Sequence, residues 1–266
     1  MSRRYLRLIA LAIVVGAFPI VVRSQRQAAS TAPDYGLAPG TFSILGFDPE
    51  SGEVGAAVSS KVFSVGNGVL WAEAGVGVAA TQAIVDVSYG PQALELLRQG
   101  MAPKDIIKTI WDRDPDPDPG RWTKQGRQFA VMNAKGELAA FTGPKASTWA
   151  GDKQGKFCTA QGNILAGPPV VEKMVEAFEK ETDEKGTRYS LAQRLVSALE
   201  AGEAAGGDTR KPTPERNSAA LIVVKKNGGV WLNNDVVLRL QVDAHMTPIV
   251  ELRRLVQLSP RQGRGR

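Results

Sequence analysis

The order in which strands and helices follow one another constrains this chain more than any other feature. Apolar runs bounded by turn residues mark strands at Thr41–Phe47 and Val54–Ser60, joined by Asp48-Pro49-Glu50-Ser51-Gly52. A second pair, Val69–Ala72 and Val76–Thr81, turns around Gly75. Two helices follow: Pro91–Gln99, stopped by Gly100, and one opened by Pro103 with Ile106, Ile107 and Ile110 on one face. Gln128–Asn133 and Glu137–Thr142 form a hairpin across Ala134-Lys135-Gly136, and a further strand covers Phe157–Gly162. Helices at Pro169–Glu181 and Ser190–Ala201 carry apolar stripes through Val170, Met174 and Phe178 and through Leu191, Leu195 and Leu199. Strands at Ser218–Lys225, Val230–Leu232 and Val236–Val242 and a helix at Pro248–Leu258 close the chain. Strands in hairpins make antiparallel sheets. Helices in pairs between sets of hairpins each need a sheet face to cover. The class is therefore α+β, and the arrangement that buries every stripe is a four-layer αββα sandwich of two mostly antiparallel sheets. Strand–helix alternation of the Rossmann kind is not present.

Outside that pattern lie two differently composed ends. Arg3, Arg4 and Arg7 precede an apolar run from Leu8 to Val22, the form of an export signal over residues 1–24, with cleavage expected after Ser24 or Ser30. Residues 25–40, rich in Ala, Ser, Pro and Gly, read as a linker or propeptide, residues 41–258 as the folded domain, and 259–266 as a disordered basic tail. The expected location is periplasmic or secreted, with membrane attachment only through an uncleaved signal. The formal charge of +6 is carried by these ends. Without the four arginines before residue 25 and the three after Leu258 the core is near neutral, which argues against a nucleic-acid partner. The helical stripes are compatible with a homo-oligomer. Cys158 is the single cysteine, so the chain has no intrachain disulfide and no cysteine cluster for zinc; its apolar neighbours mark it as inert core.

Where the linker meets the first strand stands Gly40-Thr41. A threonine exposed there as a new N-terminus carries a nucleophile and a base on one residue, because a free α-amine titrates at about 7.7–8.0. Left internal, Thr41 is a β-branched strand residue and nothing more. Two other groupings are weaker. Asp112, Asp114, Asp116 and Asp118 alternate but lack the glycine and glutamate of a calcium loop, so a solvated loop is expected. Asp243 and His245 fall on one side of a strand-like stretch and read as a structural hydrogen-bonded pair; with one histidine in the chain, they make a thin metal site.

Several motifs in one order resemble the family called domain of unknown function 1028. They are Thr41-Phe42-Ser43-Ile44, Trp71-Ala72-Glu73-Ala74-Gly75, Ala80-Thr81-Gln82, Ser88-Tyr89-Gly90-Pro91, Gln161-Gly162-Asn163, Ala205-Gly206-Gly207-Asp208 and Val242-Asp243-Ala244-His245. The resemblance covers roughly residues 41–256 and implies the N-terminal-nucleophile (Ntn) hydrolase fold of proteasome β-subunits. It also implies amide hydrolysis of a small-molecule or peptide substrate through an acyl-enzyme on Thr41, with no cofactor and no metal. Relatives that begin Met-Thr-Phe-Ser would expose the threonine by losing methionine. Here a leader precedes it, so a cut between Gly40 and Thr41 is needed. On this reading Lys61, after the second strand, tunes charge beside Thr41. Asn163 or Gln82 donates to the oxyanion. Ser60, Thr81, Asp208 and Arg210 bind substrate or hold the site. Each has a plainer reading: a surface lysine, turn hydroxyls and amides, a loop ion pair. A non-catalytic binding protein on the same fold is the alternative to the enzyme.

Overall fold

The computed structural model describes residues 40–259. The expected signal, the linker before Gly40 and the tail beyond Ser259 lie outside the described residues. Within them run β1 (Thr41–Asp48), β2 (Glu53–Ser60), β3 (Leu70–Glu73), β4 (Gly77–Ala83), α1 (Tyr89–Arg98), α2 (Pro103–Arg113), β5 (Arg127–Asn133), β6 (Leu138–Thr142), β7 (Gly151–Gly155), β8 (Cys158–Asn163), α3 (Pro169–Glu179), α4 (Leu191–Ala204), β9 (Ser218–Val224), β10 (Val236–Val242) and α5 (Pro248–Leu258). One sheet has the order β10-β9-β2-β1-β8-β7, the other β3-β4-β5-β6, and every pairing is antiparallel. No helix among the described residues is long and apolar enough to cross a membrane.

The period-two alternation of the strands builds the layers. On β1, Leu45 and Phe47 face the second sheet and pack with Val58, Val78, Ala80, Ala130 and Met132. Phe42 and Ile44 point the other way, into α3 and α4, where Met174, Phe178 and Leu195 are buried. On the second sheet, Ala79, Phe129 and Val131 meet Tyr89, Leu97, Ile106 and Ile110 of α1 and α2. The result is the αββα sandwich, with β1 buried along its whole length. A Cβ added at Gly46 would lie 2.5 Å from the Phe178 ring, so a glycine in mid-strand is what lets α3 sit this close.

One strand is added to the expected order and two local expectations are corrected. β7, of sequence Gly-Asp-Lys-Gln-Gly, has no apolar alternation; it forms because the edge of β8 offers backbone partners. Val230–Leu232 is a bend, not a strand, and leaves Trp231 and Leu232 exposed. β10 ends at Val242, and Ala244 takes a left-handed φ of 48°. Asp243 and His245 therefore do not share a strand face: Gln241 donates to the Asp243 carboxylate, and His245 Nδ1 accepts from the Thr247 amide.

The acidic loop is also less solvated than its composition suggests. Asp114 is buried and accepts from the Tyr89 hydroxyl at 2.5 Å and from Arg127 Nε at 3.4 Å. Burial alone would raise its carboxyl, but the Tyr89 hydroxyl, the Asp116 amide and Arg127 outweigh it and hold it below the usual carboxylate value. Arg127, itself fully buried, also donates to the carbonyls of Ile84 (2.8 Å) and Trp122 (3.0 Å). Among the described residues no group of three or more His, Cys, Asp or Glu could hold a metal ion. Arg127→Met should strand the buried Asp114 charge and two carbonyls. We expect a loss of about 3–5 kcal/mol in denaturant unfolding.

Candidate active site

Alternation again decides which polar groups meet. Because Leu45 and Phe47 face the second sheet, so do Ser43 and Thr41; by the same count Ser60 on β2, Thr159, Gln161 and Asn163 on β8, Gln82 on β4 and Gln128 on β5 face inward. One end of the inter-sheet layer is thus apolar and the other is a buried polar layer. Ser43 Oγ donates to Gln82 Oε1 (2.7 Å) and accepts from Gln161 Nε2 (2.6 Å). Gln82 Nε2 donates to Gln128 Oε1 (2.9 Å) and reaches the Thr41 carbonyl at 3.4 Å. Gln128 Nε2 donates to the Gly162 carbonyl (2.8 Å) and to Thr142 Oγ1 (2.9 Å). These glutamines tie the two sheets together directly beneath Thr41. Ser43, Gln128 and Gln161 did not stand out in the sequence, although an inward-facing glutamine in Arg127-Gln128-Phe129-Ala130-Val131 is a signal that alternation could have supplied.

At the head of β1 the Thr41 hydroxyl donates to Ser60 Oγ (3.0 Å), its cross-strand partner. Ser60 Oγ in turn donates to the Gly40 carbonyl at 2.6 Å, and Arg210 Nη2 donates to the same oxygen at 2.7 Å. The carbonyl of the Gly40–Thr41 peptide bond therefore holds two donors, one of them cationic. Arg210 is fixed by a bidentate pair with Asp208, whose carboxylate is buried. A Cβ at Gly40 would lie 2.7–2.9 Å from all three atoms of that carboxylate. Only glycine fits at residue 40.

The loop that carries Asp208 and Arg210 is pinned on both sides. Lys61 Nζ donates to the carbonyls of Asp208 (2.5 Å) and Arg210. Thr209 donates from both its amide and its hydroxyl to the Ile164 carbonyl, and Leu165 bridges to Asp208. Lys61 thus holds the loop, and the cation on the β1 head is Arg210. Thr81 lies on the opposite face of β4, toward the helices, where its hydroxyl donates to the Asp86 carbonyl. Gln82 reaches the Thr41 carbonyl and Asn163 stands opposite Thr41 in register, but the NH2 groups of both donate to Gln128. Two residues that immediately follow them, Ala83 (φ 65°) and Ile164 (φ 54°), are left-handed without being glycine. Such strain persists only where the surroundings enforce it. Cys158 points away into the helix-side core; burial, with the charge of Glu179 adding, pushes its thiol up to about 12 and removes it as a nucleophile.

The sequence model of a family described as a family of unknown function, DUF1028, matches residues 41–252. This chain belongs to the DUF1028 family. A solved DUF1028 structure, that of protein SPO2555 from Silicibacter pomeroyi, is 31% identical, with a TM-score of 0.68 over 82% of this chain and 85% of that one. No curated protein matches the chain. In this DUF1028 member the matched segment starts at Thr41, so Gly40, the other half of the doubly held peptide bond, lies just before it.

Proposed function

We propose that this protein is an exported, self-cleaving amidohydrolase of the N-terminal-threonine type, acting on an amide bond of a small molecule or peptide. The observation that carries the reading is the Gly40 carbonyl. It is held by Ser60 Oγ and Arg210 Nη2 at 2.6 and 2.7 Å, with the Thr41 hydroxyl 3.0 Å from Ser60. Two donors on one carbonyl oxygen beside a hydroxyl is the arrangement that stabilises an oxyanion. The export assignment rests on the basic and apolar leader alone.

On this reading maturation is an attack followed by a hydrolysis. Thr41 Oγ attacks the Gly40 carbonyl carbon; Ser60 Oγ takes the Thr41 proton and passes its own to the Gly40 oxygen, whose developing negative charge Arg210 also stabilises. Collapse breaks the C–N bond, with the proton ending on the Thr41 nitrogen, and leaves Gly40 as an ester on Thr41 Oγ. Water hydrolyses the ester, releasing the Gly40 carboxylate and a free Thr41 α-amine. In turnover the same hydroxyl attacks the substrate carbonyl while the α-amine takes its proton. Departure of Gly40 leaves Ser60 and Arg210 available to the substrate oxygen. The amine then protonates the leaving group, and water releases the acyl group from Thr41. Asp208, Lys61 and the glutamine layer hold these parts in place.

Mass spectrometry of the purified protein's N-terminus tests this. Threonine 41 as first residue is the expected result. A native, soluble protein with the Gly40–Thr41 bond intact overturns it and leaves a binding protein on this fold.

A further inference from the structure

We propose that Oδ1 of Asn163 accepts a hydrogen bond from the α-amino group that cleavage creates on Thr41, which makes Asn163 the positioning residue for that amine. The proposal rests on the self-cleavage reading above. Its own observation is a buried acceptor without a partner. Asn163 is fully buried, and its Oδ1 is one of two buried side-chain polar atoms among the described residues that no hydrogen bond satisfies. Native interiors rarely leave such a group unpaired.

The orientation of this amide follows from its neighbours. Gln128 Nε2 faces the Gly162 and Gly151 carbonyls, so Gln128 must present its NH2 there and its Oε1 toward Asn163. Asn163 must answer with Nδ2, at 3.2 Å, which leaves Oδ1 on the free side. Cross-strand register puts Asn163 opposite Thr41, with both side chains on the inter-sheet face. Ile164, held in its left-handed conformation by hydrogen bonds to Ser147 and Thr209, fixes the turn that follows. In the intact chain the Thr41 nitrogen has one hydrogen, and it lies in the plane of the sheet. Asn163 Oδ1 takes no hydrogen bond from it. After cleavage the nitrogen is tetrahedral with up to three rotatable hydrogens, and one can turn toward Oδ1. The donor this acceptor lacks is the one the reaction produces. A hydrogen bond from the ammonium to Oδ1 favours the charged form, so Asn163 also holds the amine's titration upward.

The test uses the full chain as wild type, Asn163→Ala and Asn163→Asp, each checked by mass for threonine 41 at its N-terminus. A β-lactone serves as probe: Thr41 Oγ attacks its carbonyl, the ring C–O bond opens, and the proton passes to the new hydroxyl, adding the whole lactone mass. The labelling rate is followed against pH. We expect the midpoint of the acidic limb to fall by about one pH unit in Asn163→Ala, with labelling at least about tenfold slower. In Asn163→Asp the carboxylate should raise it by about one unit. Both variants lose the Nδ2 contact to Gln128, so opposite shifts cannot come from that loss. Equal midpoints in the three cleaved proteins overturn this proposal alone. A wild type that retains the Gly40–Thr41 bond overturns the self-cleavage reading and this proposal with it.

Discussion

Thr41→Ala should leave the Gly40–Thr41 bond whole and abolish both self-cleavage and acylation by a threonine-directed electrophile. The substitution removes the attacking oxygen and one methyl group and leaves the other groups of the site: Ser60 keeps its bond to the Gly40 carbonyl, and Arg210 keeps its pair with Asp208. The hydroxyl's bond to Ser60 is worth about 1 kcal/mol of stability, so the domain remains folded without it. Thr41→Ser keeps the oxygen and deletes a methyl group worth about 0.8 kcal/mol, so cleavage should continue within roughly tenfold of the wild-type rate. Intact-mass analysis of the three proteins separates the outcomes. Cleavage at the same bond in Thr41→Ala would show that another group or a host protease makes the cut, and self-processing would be ruled out.

Gly40→Ala should block cleavage while leaving the nucleophile untouched. The new methyl carbon would fall 2.7–2.9 Å from the Asp208 carboxylate, closer than a real contact permits. Asp208 cannot swing away cheaply, because Arg210 grips both its oxygens and the Lys61 amide reaches one of them. Residue 40 must shift instead, which carries its carbonyl off Ser60 and Arg210. Loss of one oxyanion donor costs about 10²–10³ in rate, and here both are disturbed, so a pulse-labelled chain should show cleavage slowed by at least about 10²-fold. Ser60→Ala, which removes one donor without any clash, should show the smaller effect. Wild-type kinetics in Gly40→Ala would mean that the held carbonyl plays no part in the cut.

Much of the fold was legible because period-two and helical stripes record which face is buried. The first hairpin, the helix opened by Pro103 and the stripe Val170-Met174-Phe178 appear within a residue or two of where the pattern puts them. The pattern failed where pairing, not side-chain burial, makes the strand. β7 has a polar sequence and is a strand only because β8 lies beside it, whereas Val230–Leu232 looks like a strand and has no partner. The candidate site residues divide along the same line. Thr41, Ser60, Asn163, Asp208 and Arg210 could each be picked out by residue type and context. Their partners could not, since Lys61 contacts residues more than a hundred positions away and Thr81 faces the wrong side of its strand for the site.

The sequence by itself determined the order of hairpins and helix pairs, the burial of β1 and the presence of a Gly-Thr junction at its head, all of which are local in the chain. Only the tertiary structure decided what surrounds that junction. It made Arg210, not Lys61, the cation on the Gly40 carbonyl, turned the amides of Gln82 and Asn163 inward, and excluded any residue but glycine at position 40. The reason is that hydrogen-bond roles in a buried network are assigned jointly. Each amide or hydroxyl can take a donor or acceptor role at a given contact, and the choice follows from neighbours on both sheets and the loop that packing brings together.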